Sequence, residues 1–429
     1  MRAASQIDSY YEASSRPTPA RPELRGTVEC DVCVVGAGIA GCSTALHLAE
    51  RGYSVVVLEE HRVGWGASGR SGGQALPGVA ADLAKLRRLI GPSATRLVWD
   101  VSVEGLRLMR ELIASHHIDC EWVAGHMLTA LKPRHERELL GEVEELRSRY
   151  AYDSVRYMPC EEVRSLIESK RYSAALYDSN AGHLHPLNYT LGLAAAAERA
   201  GARIFESTRA VSLASAAQAG RVSVRTAAGM VHPRFTVLCG NAYLGATAPA
   251  LESKILGVST YIVATEPLAE ERARRLIANN AAISDMNWVL DYFRLSADRR
   301  LLFGGRVNYS DLASFDAPGA TRRRMLRVFP QLADLRIEYS WGGYVDITVN
   351  RAPHFGRLAP DIYFLQGFSG QGLALAGIAG KLVADAVAGT AERFDVFAAI
   401  PHGSFPGGAL LRRPALVLAM LYYRLKDML

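Results

Sequence analysis

Read for hydrophobic and polar positions, the chain opens on a polar, proline-rich arm over residues 1–27 and then changes character. An apolar run at 31–35 predicts a short buried strand. Apolar residues at helical spacing over 39–51, stopped by Gly52, predict a helix, and the β-branched run 54–58 predicts a second strand. Gly36, Gly38 and Gly41 make a G-x-G-x-x-G at the strand-to-helix turn, with Ala37, Ile39 and Ala40 between and after them, and Glu59 and Glu60 follow the second strand. The first glycine suits a tight turn, the second lets a pyrophosphate approach the backbone, and the third lets helix and strand pack closely. The helix start presents free N–H groups and a positive dipole end to phosphates, and Glu59 stands where a ribose hydroxyl is bound. A bound dinucleotide follows.

In a nicotinamide dehydrogenase the second strand would lead into another crossover helix. Here it leads into "GWGASGRSGGQ" at 64–74, too rich in glycine for a helix. Such a backbone can pass under a flavin and donate N–H groups to it, the alternative being a flexible loop. Gly66, Ala67, Gly69, Gly72 and Gly73 form the cradle, Ser68 and Arg70 stand near the pyrophosphate, and Gln74 closes the run near the flavin face.

Composition narrows the picture further. A chain of 429 residues, 49% hydrophobic and 21% charged, buries a large core and suits two lobes. The formal charge of +6 comes from dispersed arginines, which reads as solvated surface and not as a nucleic-acid face. No apolar run reaches bilayer length and the N-terminus has no apolar core of a signal peptide, so a cytoplasmic protein is expected. The six cysteines have no framework spacing. Cys30 and Cys33 form a C-x-x-C, but Cys33 lies in the apolar strand, so a buried structural role is expected and no metal site.

Further runs carry a family resemblance: "AGHLHPLNYTLG" at 181–192, "CGNAYLG" at 239–245, "ATEPL" at 264–268, "LDYFRLSADRRLLFGGR" at 290–306, "GFSGQG" at 367–372 and "ERFDVFAAIPHGSFPGG" at 392–408. With the glycine run, they make the chain resemble the D-amino-acid-oxidase-like family of FAD enzymes over nearly all of its length after residue 27. The resemblance implies an α/β fold: a Rossmann-like FAD-binding domain of the glutathione-reductase type with a second, antiparallel-sheet substrate domain. It assigns 28–82, 176–245 and 344–395 to the FAD lobe, 83–175 and 246–343 to the substrate lobe, and 396–429 to a C-terminal extension. Val211 falls where relatives contact adenine through the backbone. Gly240 and Asn241 end a strand beside the cofactor, and Gly370, Gln371, Gly372 and Leu373 start a helix whose dipole points at the flavin N1/O2 edge. The segment before the last strand contains no cysteine, so FAD is expected to be noncovalent.

The implied reaction is oxidation of a C–N bond. The amine must be neutral to give up hydride, oxygen then yields peroxide, and the imine hydrolyses to aldehyde and ammonia. Amino-acid oxidases of the family carry an arginine after a W-x-G strand to clamp the substrate carboxylate. Here "WGGYVDIT" puts Val345 at that place, with Arg351 six residues on. This favours an amine whose carboxylate lies far from the oxidised carbon, namely a gamma-glutamylated polyamine. The alternatives are an oxidase of a secondary or alpha-amino acid such as pipecolate or glycine, which Arg351 would support, and an NAD(P)H-linked flavoprotein, for which no second G-x-G-x-x-G unit is present.

Four residues are candidates on the substrate side, each with a competing role. Gln74 either hydrogen-bonds the amine or anchors the flavin alone. His185, in a period-two pair with His183, is either in the site or structural. Tyr292 is a substrate contact or core, and Arg294 holds the distant carboxylate or pairs with Asp291 or Asp298. The apolar, basic-flanked segment 410–429 is expected to be a docked helix, against a membrane-surface or oligomer contact.

Overall fold

The computed structural model describes residues 8–308 and 316–405. The expected extension 410–429 lies outside them. The chain builds two sheets. In the first, parallel strands run in the order Ile362–Gln366, Gly229–Leu238, Gly26–Val35, Val55–Leu58 and Arg203–Phe205, with His354–Ala359 added antiparallel at one edge. The runs VVVL and IYFLQ are buried throughout, as parallel strands covered on both faces require. Two helices, Ile39–Ala49 and Leu373–Val387, lie side by side over this sheet. They approach closely because Gly380 has no side chain: a Cβ there would lie 2.7 Å from the Ala40 carbonyl oxygen. The Ser43 hydroxyl donates to the Gly377 carbonyl at 2.6 Å across the contact.

The second sheet runs Ile337–Thr348, Ile255–Thr265, Leu301–Asn308, Tyr292–Leu295, Ala282–Asp285, Val123–Ala130, Ala174–His183 and Gln74–Ala75, antiparallel except for one parallel pair. Phe293 stacks on Phe303 at 5.6 Å and meets Phe329 edge-on at 5.1 Å in its core.

The lobe boundaries differ from those expected. Strand Ala174–His183 pairs with Val123–Ala130 and Val155–Pro159, so the segment up to 183 belongs to the second sheet and not to the FAD lobe. The long strand Ile337–Thr348 also lies in the second sheet across the boundary drawn at 344, because it pairs with Ile255–Thr265 along its whole length. Conversely, helix Leu83–Ser115 packs on the first lobe: a Cβ on Gly105 would lie 2.9 Å from Ile378.

The N-terminal arm is also folded where a polar lead-in was expected. Residues Tyr10–Ser14 form one helical turn, capped by Ser9, whose hydroxyl accepts the Glu12 N–H at 3.1 Å, and Tyr10 and Tyr11 are buried. Further along, Arg21, 5% exposed, forks onto the Glu198 carboxylate at 2.7 and 2.8 Å. Among the described residues no single helix is long and apolar enough to cross a membrane.

Candidate functional site

The first glycine turn is shaped by close approach. Gly36 has φ +102°, and a Cβ on it would lie 2.9 Å from the Cys239 carbonyl group; one on Gly41 would lie 1.9 Å from the Gly36 oxygen. Helix, turn and neighbouring strand therefore meet with no side chain between them. A Cβ on Gly38 would meet the Ser68 hydroxyl at 2.8 Å, and that hydroxyl accepts the Ile39 N–H at 3.0 Å. Ser68 thus ties the second glycine run to the helix start; Ala40 follows in its first turn. Buried Glu59 accepts the Ala37 N–H at 2.8 Å and the His61 N–H at 2.9 Å, which leaves two of its four lone-pair sites for a ligand. Burial raises its pKa. Glu60 instead pairs with Arg209 at 3.6 Å on the surface. The Val211 N–H donates to the Arg225 carbonyl at 2.8 Å, so only the Val211 carbonyl remains for a backbone contact.

The C-terminal turn closes on this cradle. Gly367, Ser369 and Gly370 all have positive φ, and Gly372 caps helix Leu373–Val387. The Gln371 amide donates to the Pro77 carbonyl at 2.6 Å. Asp346, which sequence reasoning missed, holds the turn from below. Its carboxylate accepts the Gly367 N–H and the Phe368 N–H, the latter at 3.2 Å, and its own carbonyl accepts the Ser369 N–H at 2.9 Å. Burial pushes this carboxyl up to about 6, against the opposing pull of Asn241 and the backbone donors. Asn241 has φ +50° beside Gly240, and its Oδ1 is buried without a partner.

Where the turns meet the second sheet, glycines again mark the seam. A Cβ on Gly72 would lie 2.7 Å from the Tyr292 ring, one on Gly343 3.2 Å from the Arg70 side chain, and one on Gly370 3.6 Å from Val345. Residues 341, 343 and 345 share one face of their strand, so Trp341, Arg70 over Gly343, and Val345 succeed one another along it.

The substrate-side candidates are brought together at this seam, but several have other work. Arg294 is buried, and its Nε donates to the Gly72 carbonyl at 2.8 Å. Its Nη2 donates to the Leu184 carbonyl at 2.9 Å and the Tyr11 hydroxyl at 3.0 Å; its Nη1 donates to the Leu295 carbonyl at 3.1 Å and faces His183 Nδ1 at 3.5 Å. All five donors have acceptors, so Arg294 staples arm, glycine run and sheet, and neither a free carboxylate clamp nor a pair with Asp291 or Asp298. His185 caps helix Pro186–Arg199: its Nδ1 accepts the Asn188 N–H at 3.1 Å, which leaves the proton on Nε2 for Ser14 at 3.1 Å. It lies under the arm as a structural residue. His183 donates from Nε2 to the Asn280 carbonyl at 2.8 Å. Burial pushes both histidines down to about 3, with the Arg294 charge adding to it, so both are neutral. The Gln74 amide nitrogen donates to the Ile283 carbonyl at 3.0 Å, tying the end of the run to the second sheet. The Tyr292 ring packs against the glycine run at Gly72, and burial raises its phenol pKa.

Residues 31–386 match the family model described as FAD dependent oxidoreductase. The chain is 39% identical over 422 residues to the gamma-glutamylputrescine oxidoreductase of Escherichia coli K12, covering 98% of each. Solved structures give the same fold. L-amino acid deaminase from Proteus vulgaris matches with TM-score 0.71 at 22% identity, over 88% of this chain and 94% of that one; glycine oxidase from Geobacillus kaustophilus matches with 0.68 at 20%, over 84% and 95%. This chain belongs to the FAD dependent oxidoreductase family.

The flavoprotein's own geometry fits the cofactor. Glu59, beside the first glycine turn, keeps two lone-pair sites for a ribose, and the buried Asn241 oxygen beside Gly240 has no protein donor, so both offer acceptors to a bound cofactor. The second signal sequence reasoning missed was the pair Tyr10–Tyr11, two adjacent aromatics in an otherwise polar arm.

Proposed function

We propose that this oxidoreductase oxidises the terminal amine of a gamma-glutamylated polyamine, gamma-glutamylputrescine, to the aldehyde, releasing ammonia and reducing oxygen to peroxide. Val345 carries the reading. It stands on the strand face beside Gly370, where an amino-acid oxidase of the family needs a guanidinium, and an isopropyl group there offers an alpha-carboxylate nothing. The likeness to the Escherichia coli gamma-glutamylputrescine oxidoreductase supports the same substrate class.

Bound FAD supplies the two-electron acceptor. The chain's residues set the state of the amine. The Arg294 guanidinium behind Gly72, with His183 and His185 neutral beside it, disfavours an ammonium at the seam and favours the reactive free amine. The cradle is made by Gly36–Gly41, Glu59, Ser68, Gly240 and 370–373, and FAD is held without a covalent bond.

Anaerobic mixing is the test. Gamma-glutamylputrescine bleaches the yellow enzyme and, in air, gives aldehyde, ammonia and peroxide in equal amounts, while acid releases all the flavin. Faster bleaching by glycine or pipecolate would sink the reading. The competing amino-acid oxidase would lean on Arg351, whose Nη2 donates to the Ser369 carbonyl at 3.3 Å. Loss of glycine turnover in R351A would support that second reading.

A further inference from the structure

Arg70 and Tyr243 both pack on the Trp65 ring at the seam, and each has a polar hydrogen with nowhere to go. Arg70 Nε donates to the Trp65 carbonyl at 2.7 Å and Nη1 to the Gly342 carbonyl at 3.3 Å, but Nη2 is buried and unpartnered. The Tyr243 hydroxyl is likewise buried: the Tyr344 backbone N–H approaches its oxygen, but its own O–H meets no acceptor. The surroundings are aromatic: the Trp65 ring lies 3.9 Å from the Arg70 guanidinium carbon, Tyr243 meets Trp65 edge-on at 5.5 Å, and Tyr344 meets Tyr243 at 5.9 Å. No carboxylate among the described residues lies within ion-pair distance of Arg70; the acid whose field reaches it is Glu12 of the arm. A guanidinium and a phenol, both donors, in a site poor in water and lacking a counter-charge, describe a receptor for an anion.

We propose that Arg70 and Tyr243 form an anion subsite that binds the carboxylate at the far end of the amine substrate. Two anions could fill it, a substrate carboxylate and a phosphate of FAD, and the placement favours the first. Ser68 turns to the helix start of the first sheet, where phosphate belongs, whereas Arg70 turns to the substrate sheet. Its carbonyl accepts the Trp341 indole N–H at 3.0 Å, and its side chain lies over Gly343, two residues before Val345 on the same strand face. The cation absent at position 345 is thus supplied from the glycine run, displaced along the sheet. An anchor so displaced suits a carboxylate separated from the reacting carbon by a long chain. Gly343 is part of the device, since a side chain there would push Arg70 away.

The inference rests on the function proposed above, and the test separates the two. The holoenzyme is assayed with gamma-glutamylputrescine and with N-butanoylputrescine, which has the same amide but no carboxylate. Wild type is expected to prefer the carboxylated amine by roughly 100-fold in KM, R70M to lose that preference, and Y243F to lose about 10-fold of it. R70K, which keeps the charge as a single point donor, falls between and guards against misfolding of R70M. The FAD dissociation constant, from flavin fluorescence, stays within about 3-fold of wild type in these variants, as no phosphate contact is removed. Equal KM losses on both amines, or a large weakening of FAD binding, would overturn the proposal, the latter assigning Arg70 to the cofactor's phosphate. If wild type oxidises neither amine, the proposed reaction fails while the subsite is still judged: gamma-glutamylglycine should perturb the flavin absorption of wild type and not of R70M, and an equal response in both overturns it.

Discussion

The cofactor-facing and substrate-facing halves of the molecule are built by different means. On the first sheet the surface is backbone: Gly36, Gly38 and Gly41 lie within six residues, and a helix start follows at once. On the second, side chains from distant segments hold it: Tyr11, His183 and Arg294 meet although Tyr11 and Arg294 are 283 residues apart. A backbone surface tolerates no added atom, whereas a side-chain network loses strength one hydrogen bond at a time. This difference sets the scale of what substitution does in each half.

The largest effect is expected for G41A. Its methyl group would lie 1.9 Å from the Gly36 oxygen, so the purified variant should carry no FAD; a yellow G41A with full flavin occupancy would break the contrast. Next comes R294M, which leaves the Gly72, Leu184 and Leu295 carbonyls and the Tyr11 hydroxyl without their donor. With several buried acceptors left unsatisfied at about 1–3 kcal/mol each, a loss of about 3–5 kcal/mol in urea unfolding is expected, with FAD still bound. If R294M unfolds like wild type, the staple is not one.

A smaller effect depends on pH. His126 is buried against the Ser284 hydroxyl at 3.0 Å, and burial lowers its pKa to about 3. Its folded pKa is depressed, so the stability it permits is present above the unfolded value of about 6.5 and is lost as pH falls toward 3. At pH 5 this amounts to about 2 kcal/mol, and H126Q should gain that much relative to wild type between pH 7.5 and 5. A pH-independent difference in melting would contradict the neutral, buried assignment. Smallest is E60A. A half-exposed pair with Arg209 is worth under about 1 kcal/mol, and FAD affinity should be unaltered; a large loss of affinity would return Glu60 to the cofactor site.

The same contrast decides what could be read from sequence. The helix expected at 39–51 and strand at 54–58 are found as Ile39–Ala49 and Val55–Leu58, because glycine spacing, strand and helix sit next to one another in the chain. The buried arm, the cap at His185 and the closure of Arg294 were not legible. Each depends on partners brought by another part of the fold, and no local pattern distinguishes an arginine that meets carbonyls from one that meets a substrate. Asp346 was invisible for a related reason: its partners are backbone N–H groups of a turn about twenty residues on. The lobe boundaries slipped because strand pairing, and not composition, decides which sheet receives 174–183 and 337–348.

The arm also imposes an order on synthesis. Tyr11 leaves the ribosome early, but its donor Arg294 emerges 283 residues later. At roughly 5–20 residues per second, the arm's two buried tyrosines wait between about fifteen seconds and a minute for the strand that completes their cover. The arm is therefore among the last segments to dock, and a nascent chain stalled before residue 294 would leave Tyr10 and Tyr11 without the sheet that completes their burial in the finished enzyme.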